Sequence, residues 1–403
     1  MTSNNPKRFS LWSLVKIGLG LGALVLALFI VPWKDTAEFR GGEETVSVSG
    51  ELLGPWDTES VAFRIDSDAE LQPNWPEAWR SAYHAGEPAQ LTRDLEDTAG
   101  SELDWRPGLT TVFSGLALWP LLLAFAVFFV GVCASVLRWW RLLAVAGCNT
   151  PFFSVFRLTF LGLFFNLIFP GLTGGDLIKA VMVVREHPER RADALVSAVV
   201  DRVFGLLGLL IVASGVVVAV GDRLIEFRLP VLVATGVAVL GVLGVLHPWP
   251  RKLIRLEKWI HRLPQGDRLR RMDLAVQIYG KHPWTLLFAL LVSMFNHTVN
   301  ATAVFIIGSS IGSALTLGET FCAASISSLI SAVPLSPGGL GVEEGMYVYM
   351  FTLLGSTSSL GLAVGLTKRA AYVVLGLLGG VALLTPGGRA LRGDIKAVRQ
   401  EAR

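Results

Sequence analysis

Two glycine-rich clusters in apolar surroundings hold the residues of this sequence that are best suited to chemistry. The first combines an amide, turn-forming residues, an acid and a base: Asn166, Pro170, Gly171, Gly174, Gly175, Asp176 and Lys179. Glycines let the chain turn and leave backbone N–H groups bare, and the positive end of a helix that starts near Asp176 suits an anion such as a lipid phosphate. The alternative is that Asp176 only caps this helix.

The second cluster repeats the same design with two acids. Its members are Pro334, Pro337, Gly338, Gly339, Gly341, Glu343, Glu344 and Gly345. A cap needs only one acid, and adjacent helical residues point about 100° apart. We therefore expect one glutamate to line a path and the other to pair with Lys368 or Arg369. No strand precedes these glycines, so the cluster is not a dinucleotide-binding fingerprint.

Charged residues inside apolar segments form a third candidate group. It comprises four acids and four bases: Asp176, Asp201, Glu343, Glu344, Lys179, Arg202, Lys368 and Arg369. A charge at the centre of a membrane costs about 2.5–3.5 kcal/mol even on the gentler insertion scale, so we expect these residues to face the protein interior and to pair. The alternative is a set of ion pairs that only lock helices together, and this is compatible with substrate binding.

A smaller polar cluster lies one helical turn apart in a later apolar segment, at Asn296, His297 and Asn300. Such side chains usually form hydrogen bonds between membrane helices, although His297 could instead relay protons. The other histidines and the three cysteines lack metal-ligand spacing. The sequence therefore predicts no metal and no cofactor.

Composition defines the class of protein that must position these residues. Of the 403 residues, 52% are apolar and 17% are charged, whereas a soluble protein carries about 25% charge. About 20 apolar residues are needed to cross a bilayer, and six segments are long enough: 11–31, 109–137, 195–221, 229–247, 284–310 and 359–384. The first lacks a small-residue cleavage site and predicts an uncleaved anchor.

Residues 33–108 differ from the rest of the chain. They contain 17 acids against six bases, and alternating residues at 45–49 and 61–65 predict strands around a Gly–Pro turn. Loops rich in Lys and Arg stay in the cytoplasm. The acidic segment is therefore predicted to be a small, partly β domain outside the membrane.

Basic residues give the sidedness of the other loops. Arg138, Arg141 and Arg157 predict a cytoplasmic loop, and residues 247–283 hold nine bases against three acids, with a surface helix expected near 251–263. The basic tail also predicts a cytoplasmic C-terminus. No Lys or Arg lies between Lys281 and Lys368, so the loops of that stretch are expected outside.

The predicted sides of these loops are consistent with one another only if two segments enter the membrane and return to the same side. Segments 152–184 and 319–356 are both interrupted by Pro and Gly, and 33 helical residues would span about 50 Å. We therefore predict two re-entrant hairpins, one from each side, each followed by a span with buried charges. Paired broken helices in inverted halves indicate a transport site near the midplane. The alternative is a single kinked span.

The sequence thus predicts an all-α polytopic membrane protein with about six spanning helices, two re-entrant helical hairpins and a small β insert. Its predicted divisions are an anchor, an acidic extracytoplasmic domain, the main transmembrane domain and a basic tail: 1–32, 33–108, 109–385 and 386–403. The N- and C-termini are predicted to be cytoplasmic.

The two glycine-rich clusters resemble the lysylphosphatidylglycerol synthase transmembrane-region family, also called flippase-like integral membrane proteins. The similar stretches run from Phe164 to Asp176, with Asp201, Arg202 and Gly205, and from Pro334 to Gly345, with Gly355. The resemblance covers about residues 110–385. It implies a helical protein of the bacterial cytoplasmic membrane. Lys179 stands where Arg is expected in many relatives, so a bidentate phosphate contact is lost while the charge is kept.

The best-known members of that family join a lipid-flipping region to a soluble aminoacyl-transfer domain. Only about 20 residues follow the last predicted span, so transferase activity is not expected here. The leading hypothesis is a translocase for an anionic phospholipid or polyprenyl-phosphate lipid. The alternatives are a membrane-embedded head-group transferase and a non-transporting partner of an envelope assembly that binds another protein through residues 33–108. Membrane lipids are the expected partners, and nucleic acid is not.

Overall fold

Helices make up most of the protein. The structure is a computed structural model that describes residues 11–41, 44–66, 88–92, 102–168, 174–221, 224–247, 266–333 and 335–381. The helices are α1 (Leu11–Ile30), α2 (Leu109–Ser114), α3 (Leu118–Val145), α4 (Phe152–Ile168), α5 (Gly174–Glu186), α6 (Arg191–Val220), α7 (Ile225–Leu246), α8 (Gly266–Gly280), α9 (Pro283–Ser310), α10 (Leu317–Ser331), α11 (Val342–Leu353) and α12 (Ser358–Val381).

Five helices of the described chain are long and apolar enough to cross a membrane, namely α3, α6 with its preceding turn, α7, α9 and α12. They account for five of the six predicted spans. The remaining predicted span, 11–31, coincides with α1. The helical membrane class predicted from composition is therefore confirmed.

The boundaries of one predicted span are wrong. Segment 109–137 is two helices, because α2 ends at Gly115 and α3 starts at Leu118 and continues to Val145. Arg138 and Arg141, interpreted above as loop residues, therefore lie within α3. A base can remain in this helix because Arg138 is buried against an acid of α6.

The acidic insert contains a five-stranded antiparallel sheet, so the predicted β structure is confirmed. The strands are β1 (Asp35–Gly41), β2 (Glu44–Leu53), β3 (Ser60–Ile65), β4 (Pro88–Thr92) and β5 (Glu102–Arg106), in the spatial order β4-β3-β2-β1-β5. Alternate residues of the strands form a small apolar core that includes Ala37, Val48, Phe63, Leu103 and Trp105.

One buried acid joins the sheet to the helices. Asp35 accepts hydrogen bonds from the backbone N–H of Leu52 (2.7 Å) and of Gly108 (2.6 Å), and from the Thr111 hydroxyl (2.8 Å). The chain therefore enters and leaves the insert at the same point. The indole of Trp56 packs against Gly312, where the chain has positive φ and a Cβ would overlap the ring. The insert thus rests on the turn between α9 and α10.

Helices α4 and α5 form the first hairpin. Lys179 packs on Gly162, and Gly175 packs on Asn166, so the two helices run in opposite directions. A Cβ at Gly175 would overlap the carbonyl of Gly162, which explains why two glycines face each other. The helices have 17 and 13 residues, or about 26 and 20 Å. The predicted break at Pro170–Gly171 lies outside the described residues.

Helices α10 and α11 form the second hairpin and have 15 and 12 residues. A 3₁₀ turn at Pro337–Gly339 lies between them, and Gly338, Gly339 and Gly341 all have positive φ. L side chains rarely adopt such backbone angles. The predicted break is therefore confirmed at Pro337–Gly339, whereas Pro334 lies outside the described residues. The turn packs against Gly20 in the middle of α1.

The two hairpins start at opposite ends of the helical bundle. The second starts beside the insert, next to Gly312. The first starts after the 28 residues of α3 have carried the chain away from the insert. Helix α8, which was not predicted, lies at that far end and donates a hydrogen bond from the Tyr279 hydroxyl to the Leu142 carbonyl. The surface helix predicted near 251–263 and the tail 386–403 lie outside the described residues.

Candidate functional site

A cavity of about 380 Å³ lies between the two hairpins and is called the central cavity here. Helices α3, α4, α5, α6, α9, α10 and α12 contribute to its lining. Among the residues that the structure describes, the charged lining residues are three bases and two acids: Arg138, Lys179, Arg202, Asp176 and Asp201. The bases exceed the acids by one, so the lining favours an anion.

The first glycine-rich cluster supplies the accessible charges. Asp176 lies in the first turn of α5 and contacts both Lys179 and Arg202, with N–O distances of 3.1 Å. The side chains of Asp176 and Arg202 are 42% and 40% exposed. Lys179 is more enclosed and lies 4.8 Å from the ring centre of Trp139. An acid thus holds two bases at the cavity wall, one of them enclosed and the other partly exposed.

The N-terminus of α5 is held by an amide side chain of α4. The backbone N–H of Gly175 donates a 2.8 Å hydrogen bond to the Asn166 side-chain oxygen. Asn166 therefore positions the start of α5, and α5 in turn carries Asp176 and Lys179 to the cavity. Gly174 is the first residue of this helix. Pro170, predicted as part of the same site, lies outside the described residues.

A second pair in the cavity lining is fixed rather than open. The Arg138 guanidinium lies 2.7 Å from Asp201 and donates a 2.7 Å hydrogen bond to the Ser293 hydroxyl. The side chains of Arg138 and Asp201 are only 7% and 13% exposed. This group joins α3, α6 and α9, and the charges of Arg138 and Asp201 balance each other.

The second glycine-rich cluster has a different arrangement. Lys368 lies 2.5 Å from Glu343 and donates 3.2 Å hydrogen bonds to Ser328 and Tyr347. Ser328 also lines the central cavity. Ser328 therefore connects the ammonium group of Lys368 to the cavity wall through one hydrogen bond.

Glu344 is buried and acts on the backbone. It pairs with Arg369, and its other oxygen accepts a 2.7 Å hydrogen bond from the Gly341 N–H. Arg369 also donates to the carbonyls of Gly338 and Gly339. Both glutamates therefore bind bases in this structure, which differs from the expectation that one of them would line a path. Two bases on α12 need two acids, and the turn itself needs a cap.

The smaller polar cluster connects helices and also touches the cavity. A ring nitrogen of His297 lies 3.0 Å from the Gly205 carbonyl on α6. Asn300 donates to the backbone and side-chain oxygens of Asn296, and its own side-chain oxygen contacts the Tyr372 hydroxyl. Asn296, His297 and Tyr372 are lining residues, so this cluster supplies uncharged polar groups opposite the bases.

Residues 102–380 match the family described as the lysylphosphatidylglycerol synthase TM region. The chain belongs to this family. The matched segment contains both hairpins and every lining residue of the central cavity. It begins in β5, so α1 and the first four strands precede it.

Two curated relatives of this chain are UPF0104 membrane proteins. A UPF0104 membrane protein of Methanothermobacter thermautotrophicus is 25% identical over 287 residues, which cover 62% of this chain and 79% of the relative. A UPF0104 membrane protein of Pyrococcus horikoshii is 23% identical over 289 residues, which cover 66% of this chain and 86% of the relative. Both support an integral membrane protein.

Sequence reasoning missed several residues of the cavity. The sequence indicates only sidedness for Arg138 and assigns no role to Trp139 and Tyr372, which also line the cavity. Nor does it assign one to Ser293, which accepts a hydrogen bond from Arg138 beside the cavity. One signal for Arg138 was available, because the unpaired acid Asp201 in a long apolar helix predicts a buried base nearby. The aromatic and hydroxyl residues carry no such signal, since these residue types are common throughout membrane helices.

Proposed function

We propose that this protein moves an anionic lipid, either a phospholipid or a polyprenyl-phosphate-linked lipid, across the cytoplasmic membrane. The phosphate would bind in the central cavity. The observation that carries the proposal is the lining of this cavity, where Arg138, Lys179 and Arg202 outnumber the acids. A positive cavity between two broken-helix hairpins is suited to a phosphate.

Two ion pairs of the cavity would have different roles, one opening to bind phosphate and the other staying closed. The pair of Asp176 with Arg202 is about two-fifths exposed on each side, and exposed pairs contribute only about 0–1 kcal/mol. An arriving phosphate can therefore displace the carboxylate from Arg202 and Lys179. The buried pair of Arg138 with Asp201 would stay closed and neutral overall. The net positive charge of the cavity would then come from Lys179 and Arg202, which share Asp176.

The size of the cavity favours a head group over a whole lipid. Its volume of about 380 Å³ lies at the low end of the range of about 300–1,000 Å³ for small-molecule sites. A phosphate and a small polar head would fit, while the acyl or prenyl chains would remain in the surrounding hydrocarbon. Asn296, His297 and Ser328 would then bind the uncharged part of the head group.

The same proposal includes the membrane arrangement. Helices of about 26 and 20 Å in the first hairpin are shorter than the ~30 Å hydrocarbon layer. The helices of the second hairpin are shorter still on average. These lengths support re-entrance of both hairpins, the first from the cytoplasm and the second from outside. The acidic insert would lie outside, and the two termini would lie in the cytoplasm.

The test uses proteoliposomes that contain a fluorescent phosphatidylglycerol, whose outer-leaflet fraction is bleached by dithionite. The protein should speed the bleaching of the inner fraction. Arg202→Gln should slow that phase by about tenfold, because a hydrogen bond to a charged group contributes about 1.5–3 kcal/mol. Fluorescent phosphatidylcholine, which has no net charge, should move more slowly than phosphatidylglycerol with the native protein.

Arg141→Gln is the matched control. Arg141 lies one helical turn from Arg138 on α3, but its guanidinium lies 5.2 Å from the ring centre of Trp140 and is not in the cavity lining. This variant should transport like the native protein. If native vesicles bleach no faster than empty ones, or if the two variants behave alike, translocation through this cavity is excluded.

A further inference from the structure

A second cavity lies outside the central one, on the face formed by α3, α4 and α12. It is called the aromatic groove here and has a volume of about 450 Å³. Its lining is four aromatic rings, one aliphatic side chain, one hydroxyl and one base: Phe129, Phe153, Phe156, Phe160, Leu378, Ser154 and Arg157. The volume lies in the range of ligand-binding sites, and the groove shares no lining residue with the central cavity.

The aromatic wall is held by ring-to-ring packing. Phe156 and Phe160 stack with centroids 4.6 Å apart, and Phe129 contacts both at 6.4 and 5.8 Å. Phe160 is buried, whereas Phe153 at the mouth is 82% exposed. Stacked rings resist collapse, so the groove is a preformed apolar slot that opens to the surroundings of the bundle.

Arg157 is the single charge among the described residues that line this slot. Its Nε–H group is buried and meets no hydrogen-bond acceptor among the residues that the structure describes. The residue follows the start of α4 by little more than one turn, close to the end of the bundle where α3 ends. A buried guanidinium donor without an acceptor is costly. Its planar fork matches the oxygens of a phosphate.

We propose that the aromatic groove is a binding site for one anionic glycerophospholipid of the adjacent leaflet. The phosphate diester would accept hydrogen bonds from Arg157, and one acyl chain would lie along the stacked rings. The charge of the groove selects an anion, and its apolar, outward-facing wall selects a ligand with a long hydrocarbon chain. The site does not rest on translocation, because no group of the central cavity takes part.

The test is native mass spectrometry of the full-length protein in detergent, with dioleoylphosphatidylglycerol as the probe and dioleoylphosphatidylcholine as the comparison. The native protein should retain phosphatidylglycerol at the groove at concentrations where phosphatidylcholine is lost. Arg157→Gln should weaken this binding event by about tenfold, the effect of losing a charge-assisted contact. The affinity of Arg157→Lys for phosphatidylglycerol should lie between those of the native protein and Arg157→Gln, because lysine keeps the charge but lacks the planar guanidinium fork.

Two further variants make the result decisive. Leu378→Trp fills the groove and leaves Arg157 in place, so it should also remove the bound phosphatidylglycerol. Arg141→Gln removes a base of the same end of α3 that stacks on Trp140 and should bind like the native protein. Equal binding by native protein and Arg157→Gln, or an equal loss in Arg141→Gln, would overturn the proposal. Arg202→Gln should affect only the central cavity, so failure of one site is separable from failure of the other.

Discussion

Both hairpins carry acids in the first turn of their second helix, yet these acids have different surroundings. In the first hairpin, Asp176 is partly exposed in the central cavity and contacts Lys179 on its own helix and Arg202 on α6. In the second, Glu344 is 1% exposed, caps the Gly341 N–H and pairs with Arg369. One hairpin therefore presents its charges, and the other uses them to hold its own turn. An acid after a glycine-rich break can be either a functional group or a structural one, and burial decides which.

The largest expected difference between the hairpins is the side of the membrane from which each can be reached. Ala314 is exposed before the second hairpin, and Glu189 is exposed after the first. With the three native cysteines replaced, Ala314→Cys in intact cells should react fully with an impermeant maleimide. Glu189→Cys should react only after the membrane is opened. Reaction of both positions in intact cells would contradict opposite entry of the two hairpins.

The second largest expected difference between the hairpins is the contribution of their acids to the stability of the protein. Glu344→Gln removes the fully buried acid partner of Arg369, which then keeps only its longer 3.7 Å contact with Glu343. The substitution should lower the free energy of unfolding by about 3 kcal/mol. The measurement is thermal unfolding in detergent, followed by intrinsic fluorescence. The matched control is Glu319→Gln, since Glu319 caps the start of α10 at Thr316 in an exposed position. It should cost about 1 kcal/mol or less. Equal unfolding temperatures for the two variants would contradict a structural role for Glu344.

The smallest expected effect concerns Asp176, and it has a definite sign. Asp176→Asn removes a competitor for Lys179 and Arg202, so phosphatidylglycerol should bind about tenfold more tightly. Release should be slower, and the transport rate should fall while the unfolding temperature changes little. Binding is measured by native mass spectrometry and transport by the dithionite assay. Unchanged binding and transport would leave Asp176 as a helix cap only.

Most of the difference between the two hairpins could not be predicted from the sequence. Pro337 and the adjacent glycines predict the second break, and the alternating residues at 45–49 and 61–65 predict strands, because both signals are local. Burial of Glu344 depends on the distant Arg369 and on α1, which packs on the turn through Gly20. The pairing of Arg138 with Asp201 likewise joins residues 63 positions apart. Contacts of this kind follow from packing, which the pattern of one segment does not contain.

Some misinterpretations have a simpler cause. A base near the end of an apolar run predicts a loop only when it faces water, and Arg138 faces an acid instead. Helix α8 was assigned to a loop because its residues are more polar than those of a span. It is nevertheless held in place by Tyr279 against the end of α3. Charge counts thus describe the average surroundings of a segment and overlook single buried contacts.

The junction at Asp35 has a consequence for how the insert can vary. Asp35 binds the backbone of Gly108 and the side chain of Thr111, so the first and last residues of the insert are clamped together whatever lies between them. The entropy of closing a loop grows by only about 0.6 kcal/mol for each doubling of its length. Strands can therefore be added to, or removed from, the outer edge of the sheet at little thermodynamic cost to the helices. The clamp makes the chain tolerant of insertion at this point, independently of what the insert binds.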